Sequence, residues 1–411
     1  MKDRDSIKEV KVGLDFGTET IPVGRLAMRE RDIYFEYLPS FIKSGLEISP
    51  RILPLKSGVF SFLYRLFEGL PGVFNDSLPD GWGRLLFDRL MRSQGKTPDE
   101  ITPLERLAHV GKYGMGALVY EPDYSISERQ GAINLDILAD QAQQVLAGRA
   151  EDILQELLAL NGSSAGARPK AMISVDETRE HISHGVSSLP EGYEHWLVKF
   201  PNTQDGTDAG AIEYVYALMA QEAGLAMPPV HLFPSNKGAG FFGVKRFDRE
   251  GNKRIHVHTA SGLLHADFRT PSLDYEDLIA VTGMLTRDVR EAEKMFRLAV
   301  FNVLAHNRDD HAKNFSFLMN EAGVWKLAPA YDLTFSSGPG GEQSTMVLGE
   351  GRNPGIEHLT KLGLEAKIPM TQIKGILAQT QMALKKWRPL AKEYGVHKPT
   401  IDLIEKVIGR H

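Results

Sequence analysis

The densest polar cluster in the sequence is His306-Asn307-Arg308-Asp309-Asp310-His311-Ala312-Lys313-Asn314. It follows the most apolar helical run of the chain, Glu291–Ala305, and precedes the strand-like Phe315–Met319. A buried helix that hands such a cluster to a turn suggests a task at that turn. Asp309 and Asn314 stand five positions apart, the D-x-x-x-x-N spacing of a phosphotransfer loop. In such a loop the Asp accepts the proton of an attacking hydroxyl and the Asn holds magnesium. The plainer reading is a polar turn in which Asp309 or Asp310 caps a helix. Further on, Asp332 lies between the strand-like Trp325–Leu327 and a glycine-rich stretch, Ser336–Gly355. As a second oxygen ligand beside Asn314 it would help Mg²⁺ neutralise the phosphates of ATP. Otherwise it closes a strand in an Asx-type turn.

Upstream, His195–Phe200 sets one lysine, Lys199, in an apolar strand. Alternation puts Trp196, Val198 and Phe200 on one face and Leu197 with Lys199 on the other. A lysine there snorkels to water or meets an anion. The helical stretch that follows, Ala211–Ala223, offers Glu213 and Glu222 on opposite flanks of its apolar stripe. Glu213 is preferred for its place near the helix start, although spacing leaves both open. The segment Gly162–Lys170 carries two serines, two glycines, an Arg and a Lys, enough for a backbone nest over phosphate. It matches neither G-x-x-x-x-G-K-[ST] nor G-x-G-x-x-G, and a flexible linker is its plainer reading.

The elements that must position these residues fall into three regions. Strands over Val10–Phe16, Ile21–Ala27 and Asp32–Leu38 start a β-rich module, with Pro22 suited to a strand start or a sheet edge. Helical stretches over Trp82–Met91 and Ile133–Leu160 flank another strand, Gly114–Glu121. Strands over Ala171–Val175, His195–Phe200 and Phe241–Phe247 enclose the helix of Glu213, which Gly224 and Pro228-Pro229 stop. The remainder, from Asp248, is mainly helical. The chain of 411 residues is long enough for two or three domains at about 150 residues each. The boundaries read as 1–125, 126–247 and 248–411. With no cysteine, disulfides, thiolate metal sites and cysteine nucleophiles are excluded. A net charge of −5 gives no footprint for direct nucleic-acid binding. The N-terminus shows no apolar signal region and no run is long enough for a membrane span, so a soluble, cytoplasmic protein is expected.

Each part is weak alone, and their order is what discriminates. Glycine-rich loop, strand Lys, helix Glu, strand, D-x-x-x-x-N, strand, Asp and glycine-rich segment occur colinearly. On these residues the sequence resembles the HipA-like serine/threonine kinases of bacterial toxin–antitoxin systems. The family's D-x-H-A-K-N-F-S stretch stands here as Asp309–Ser316, and its S-x-x-G-A-x-x-K loop as Ser163–Lys170. Its Tyr-Asp after a Pro stands as Pro329-Ala330-Tyr331-Asp332, and its R-F-D-R motif as Arg246–Arg249.

The resemblance implies an α+β, two-lobed protein-kinase-like fold with an extra N-terminal β-rich module and a mainly helical C-terminal lobe. It implies ATP and Mg²⁺ as cofactors and protein Ser/Thr as acceptor. Asp309 would be the base, with His311 and Lys313 beside it in the catalytic set. His311 would either orient Asp309 or simply pack there. Asn314 and Asp332 would hold magnesium. Lys199 with Glu213, and Ser164, Ala165, Gly166 and Lys170 of the loop, would hold the phosphates, and Lys245 and Phe247 would face adenine. Autophosphorylation would fall on Ser163, or on its neighbour Ser164. The implied partner is a small helix-turn-helix antitoxin in a separate chain, so DNA would be met only through it. Family targets include aminoacyl-tRNA synthetases. A small-molecule kinase, and a catalytically silent ATP-binding co-repressor partner of a DNA-binding antitoxin, are the competing classes. Hydrolysis at Asp309-Asp310-His311 lacks a further ligand set. His256, His258 and His265 fit no zinc spacing and are expected to be structural or solvent-facing.

Overall fold

A computed structural model describes residues 7–62, 66–126, 131–149, 153–161, 166–184 and 189–409. Alternating apolar residues build the first sheet, as in Glu9–Asp15, where Val10, Val12 and Leu14 are buried. Its order is Val59–Ser61, Asp32–Tyr37, Thr20–Arg29, Glu9–Asp15, Leu118–Glu121, antiparallel throughout. Pro22 therefore lies in the central strand rather than at a sheet edge. It is tolerated there because the register slips between Val12 and Gly13, opposite Gly24 and Pro22. Pairing with Asp32–Tyr37 begins only at Gly24, so no ladder bond is asked of the missing N–H.

The second sheet runs Ile182–His184, Lys170–Asp176, Tyr193–Lys199, Phe241–Lys245, Val230–Phe233. Ile173, Val175, Trp196 and Val198 share a core with the helices Leu135–Leu146 and Leu154–Asn161 and with Trp82 and Leu86 of the helix Gly81–Ser93. The continuous helical stretch expected over Ile133–Leu160 is thus two helices, the first ending at Ala147 ahead of Gly148 in the left-handed region. The helix Ala209–Glu222 packs on Phe241–Lys245 and Val230–Phe233, and on Met370–Leu384 and Trp387–Glu393 of the helical lobe. In that lobe Asp288 caps Val289–Leu304 through the Arg290 N–H. This helix is buried along Met295, Phe296 and Leu298–Leu304 and delivers the polar cluster. No helix among the described residues is long and apolar enough to cross a membrane.

Two buried polar clamps join the N-terminal sheet to the rest. Asp248 accepts from Arg246 Nε and Nη2 at 2.9 and 2.8 Å, from Arg249 Nη1 at 2.7 Å and from the Gly116 N–H at 2.8 Å. Arg249 and Arg254 also take the carbonyls of Gly114 and Gly116. The strand expected over Gly114–Glu121 consequently begins only at Leu118. Replacing Asp248 by Ala would leave two buried guanidinium groups without their carboxylate. A loss of about 3–5 kcal/mol is expected, read as a lower urea midpoint with an unchanged slope.

The second clamp has the connectivity of a hydrolase relay. Ser49 Oγ lies 2.9 Å from His258 Nε2, and His258 Nδ1 lies 2.7 Å from Asp76 Oδ2. Ser49 and His258 are buried, and Asp76 also accepts from the Thr259 N–H and hydroxyl. With no substrate access this relay is a structural tie. His256 donates to the Ile48 carbonyl at 2.9 Å, and the ring of His265 rests against Phe62 and Phe67.

Candidate active site

Lys199 ends the strand Tyr193–Lys199, and its Nζ pairs with Glu213 and, at 2.6 Å, with Asp332 Oδ1. Glu213 is buried within the helix Ala209–Glu222, whereas Glu222 turns outward to Lys386 at 2.9 Å. Helix phase explains the choice: Glu213 faces the sheet that carries Lys199, and Glu222 sits on the last turn. Arg168 adds a second cation, with Nε 3.1 Å from Asp205 and Nη1 3.4 Å from Glu213. Desolvation works against the Lys199 charge, but Asp332 and Glu213 outweigh it and keep the ammonium above its ordinary range. Desolvation would likewise raise Asp332, yet Lys199 and Lys170 reverse this and hold its carboxyl well below the usual range. Lys170 is buried at the start of its strand, and burial, with the Lys199 charge beside it, lowers its ammonium to about 8. Three cations, Lys170, Lys199 and Arg168, thus converge beside three carboxylates, Asp205, Glu213 and Asp332.

Across from this cluster lies the turn after Val289–Leu304. Asn314 Nδ2 donates to the Asp309 carbonyl at 2.7 Å, which leaves its amide oxygen as the atom it offers. Asp309 is exposed. Partial desolvation still raises its carboxyl, with His311 pulling it back and Asp332 adding to the rise. The His311 ring packs against Phe268 with centroids 5.5 Å apart, and its buried Nδ1 has no hydrogen-bond partner among the described residues. Lys313 is buried and pairs with Asp80 at 2.6 Å, under the Phe268 ring at 4.3 Å. Its carbonyl accepts from the Tyr331 hydroxyl at 2.6 Å, and Tyr331 in turn stacks obliquely on Phe247 at 5.4 Å. Ser163, Ser164 and Ala165 lie outside the described residues. Gly166 donates its N–H to Asp80.

Three features were missed in the sequence. Asp310 is buried and accepts from the Tyr275 hydroxyl at 2.5 Å, Gln343 Nε2 at 2.9 Å, and the N–H groups of Ser344 and Thr345 at 2.9 and 3.2 Å. Burial pushes its carboxyl up to about 7 against these donors. It fastens the long glycine-rich segment, expected as a loop, to the polar turn. Asp80 and the second bond of Arg168 are the other two. All three are contacts between residues far apart in the chain, and only the Asp-Asp pair at 309 and 310 hinted at one of them.

At the sheet's end the Lys245 N–H donates to the Pro229 carbonyl at 2.9 Å. Pro229 has no N–H to return, so the ladder stops at the Lys245 carbonyl. No group of three or more His, Cys, Asp or Glu side chains among the described residues is arranged for a metal ion. Magnesium beside phosphates needs only one or two carboxylates, and the oxygens of Asp332 and Asn314 are hard donors of the right kind.

A family model described as HipA-like C-terminal domain matches residues 162–387, more than half of the chain, and one described as HipA N-terminal domain matches residues 14–121. The chain belongs to the HipA-like family. This HipA-like protein superposes on HipA of Shewanella oneidensis MR-1, solved with HipB and operator DNA, with a TM-score of 0.68 at 17% identity. The superposition covers 97% of this chain and 95% of that one, which establishes the shared fold. The proinflammatory kinase CtkA of Helicobacter pylori overlaps 54% of this chain and 87% of its own at 14% identity, with a TM-score of 0.35. In sequence, "Putative kinase Y4mE" of Sinorhizobium fredii (strain NBRC 101917 / NGR234) is 28% identical over 148 residues. That alignment covers 33% of this chain and 33% of the relative, so the chain spans about a third of the length of this curated relative.

Proposed function

We propose that this HipA-like protein is an ATP- and Mg²⁺-dependent serine/threonine protein kinase that acts as a growth-inhibiting toxin in the cytoplasm. The observation that carries the reading is the pairing of Lys199 with both Glu213 and Asp332, opposite the Asp309–Asn314 turn. Lys199 and Lys170 would hold ATP phosphates, with Ser164 and Ala165 cradling them and Gly166 anchoring the loop's end on Asp80. The Lys245 carbonyl and Phe247 would face adenine. Asp332 and the Asn314 amide oxygen would hold magnesium, which supplies charge neutralisation at the phosphates. Asp309 would take the proton from the acceptor hydroxyl as its oxygen bonds to the γ-phosphorus and the bond to the β-phosphate oxygen breaks, releasing ADP. The units 1–125, 126–247 and 248–411 would then be the HipA-type module, the nucleotide lobe and the catalytic lobe.

The Shewanella HipA stands in complex with HipB and operator DNA. By analogy a small DNA-binding antitoxin in a separate chain is the proposed partner here, and an aminoacyl-tRNA synthetase is one candidate substrate. Regulation would lie in the loop serines. A phosphoserine adds roughly −1.5 to −2 charges at pH 7, which would repel the ATP phosphates and pair instead with Arg168 or Lys170. Incubation with Mg-ATP is expected to place phosphate on Ser163, or on Ser164, and to weaken ATP binding by the modified form. Phosphopeptide mapping followed by nucleotide titration tests this. A preparation active on another substrate but unmodified at both serines would contradict it.

A further inference from the structure

Asp80 precedes the helix Gly81–Ser93, the position where an aspartate ordinarily accepts an N–H of its own first turn. Here it makes no such cap. Oδ1 accepts the Gly166 N–H, and Oδ2 lies 2.6 Å from Lys313 Nζ. One carboxylate thus joins the N-terminal region, the end of the phosphate loop and the polar turn.

The neighbouring residues fit the same task. The Trp82 N–H donates to the Gly166 carbonyl at 3.1 Å, so residues 80–82 hold Gly166 by both its amide and its carbonyl. Gly81 has φ 45°, and a Cβ there would stand 2.5 Å from the Gly166 oxygen. A Cβ on Gly83 would stand 2.3 Å from Asn161 Nδ2, on the residue just before the loop. The start of this helix therefore touches both Asn161 and Gly166. On the far side, the Lys313 carbonyl takes the Tyr331 hydroxyl, and Tyr331 directly precedes Asp332.

We propose that Asp80 is a positioning residue that locks the phosphate loop to the catalytic turn through Gly166 and Lys313. The proposal rests on the kinase reading given above. Asp80 touches no reacting atom in this scheme. It sets the distance between the groups that would hold ATP and those that would act on it, and Lys313 serves that lock rather than the acceptor.

The test combines steady-state kinetics with amide exchange on the full chain. Asp80→Ala is expected to raise the KM for Mg-ATP by roughly 10- to 100-fold, the scale of a lost charge-assisted hydrogen bond. Asp80→Asn keeps an acceptor for Gly166 and is expected to lose less. Lys313→Met is expected to move KM the same way, and the double variant to be no worse than Asp80→Ala alone, because the two act as one unit. Exchange at the Gly166 amide is expected to speed up at least tenfold in Asp80→Ala. Additive KM effects, an unchanged KM in an active protein, or unchanged Gly166 exchange would overturn the proposal, since a merely structural Asp80 would lower Tm and leave KM in place. If Asp80→Ala does not fold, Asp80→Asn and Lys313→Met still test the KM shift and its non-additivity, and an unchanged KM in both would overturn the proposal. Wild-type protein that binds no Mg-ATP would overturn the kinase reading and with it the catalytic purpose of the lock, whereas Gly166 exchange judges the lock itself.

Discussion

Asp309→Asn is expected to slow phosphoryl transfer by roughly 10²- to 10⁴-fold, the usual cost of removing a general base. The substitution is nearly isosteric, and what holds Asn314 is the backbone carbonyl of residue 309, which the variant keeps. The proposed magnesium ligand is therefore undisturbed, and so are Lys199 and its partners. ATP affinity should stay close to wild type while turnover collapses, a loss in kcat rather than in binding. Single-turnover kinetics beside nucleotide titration separates the two. Full activity in Asp309→Asn would remove the polar turn from the chemistry.

Asp332→Ala is expected to abolish transfer and to weaken magnesium-dependent ATP binding. Asp332 is the anionic member of the proposed ligand pair, and the Lys199 charge beside it keeps it ionised. Its backbone complicates the reading of an alanine variant, because Asp332 sits at φ 56°, in the left-handed region. Alanine there costs about 1–2 kcal/mol, whereas Asn tolerates the conformation. Asp332→Asn is thus the cleaner variant, since it removes the charge and keeps the shape. Both should lose magnesium-dependent affinity, and only the alanine should lower Tm appreciably. Equal Mg-ATP affinity in wild type and Asp332→Asn would make Asp332 a turn residue.

Much of this arrangement could be read from local pattern. Period-two alternation puts Lys199 on the face opposite Trp196 and Val198, which are buried as that pattern requires. The apolar run before His306 is a buried helix that ends at the polar turn. What local pattern lacks is any term for contacts between distant segments. Asp80 carries no signal in the local pattern, and only the packing of three regions turns both its oxygens away from its own helix. Arg246-Phe247-Asp248-Arg249 is known from sequence only as a motif shared with the family, yet three of its four side chains are buried in a charge clamp on the Gly114–Gly116 loop. Asp310 looks equivalent to Asp309 in sequence. One is buried under Tyr275, Gln343 and Thr345 and the other is exposed, a difference set by residues more than thirty positions away. Pro22 misleads only about the sheet edge: it is third in its strand, near the start its rule favours, and a bulge at Val23 of that same strand absorbs it.

The central claim is transfer of the ATP γ-phosphate to a seryl or threonyl hydroxyl by the Asp309 turn. Intact-mass analysis of wild type and Asp309→Asn after incubation with Mg-ATP addresses it most directly. The account predicts the added mass of one phosphate on wild type, stable to hydroxylamine as a phosphoester is, and none on Asp309→Asn. Equal phosphate on both proteins, or none on a wild type that binds Mg-ATP and leaves every protein acceptor unmodified, would contradict it.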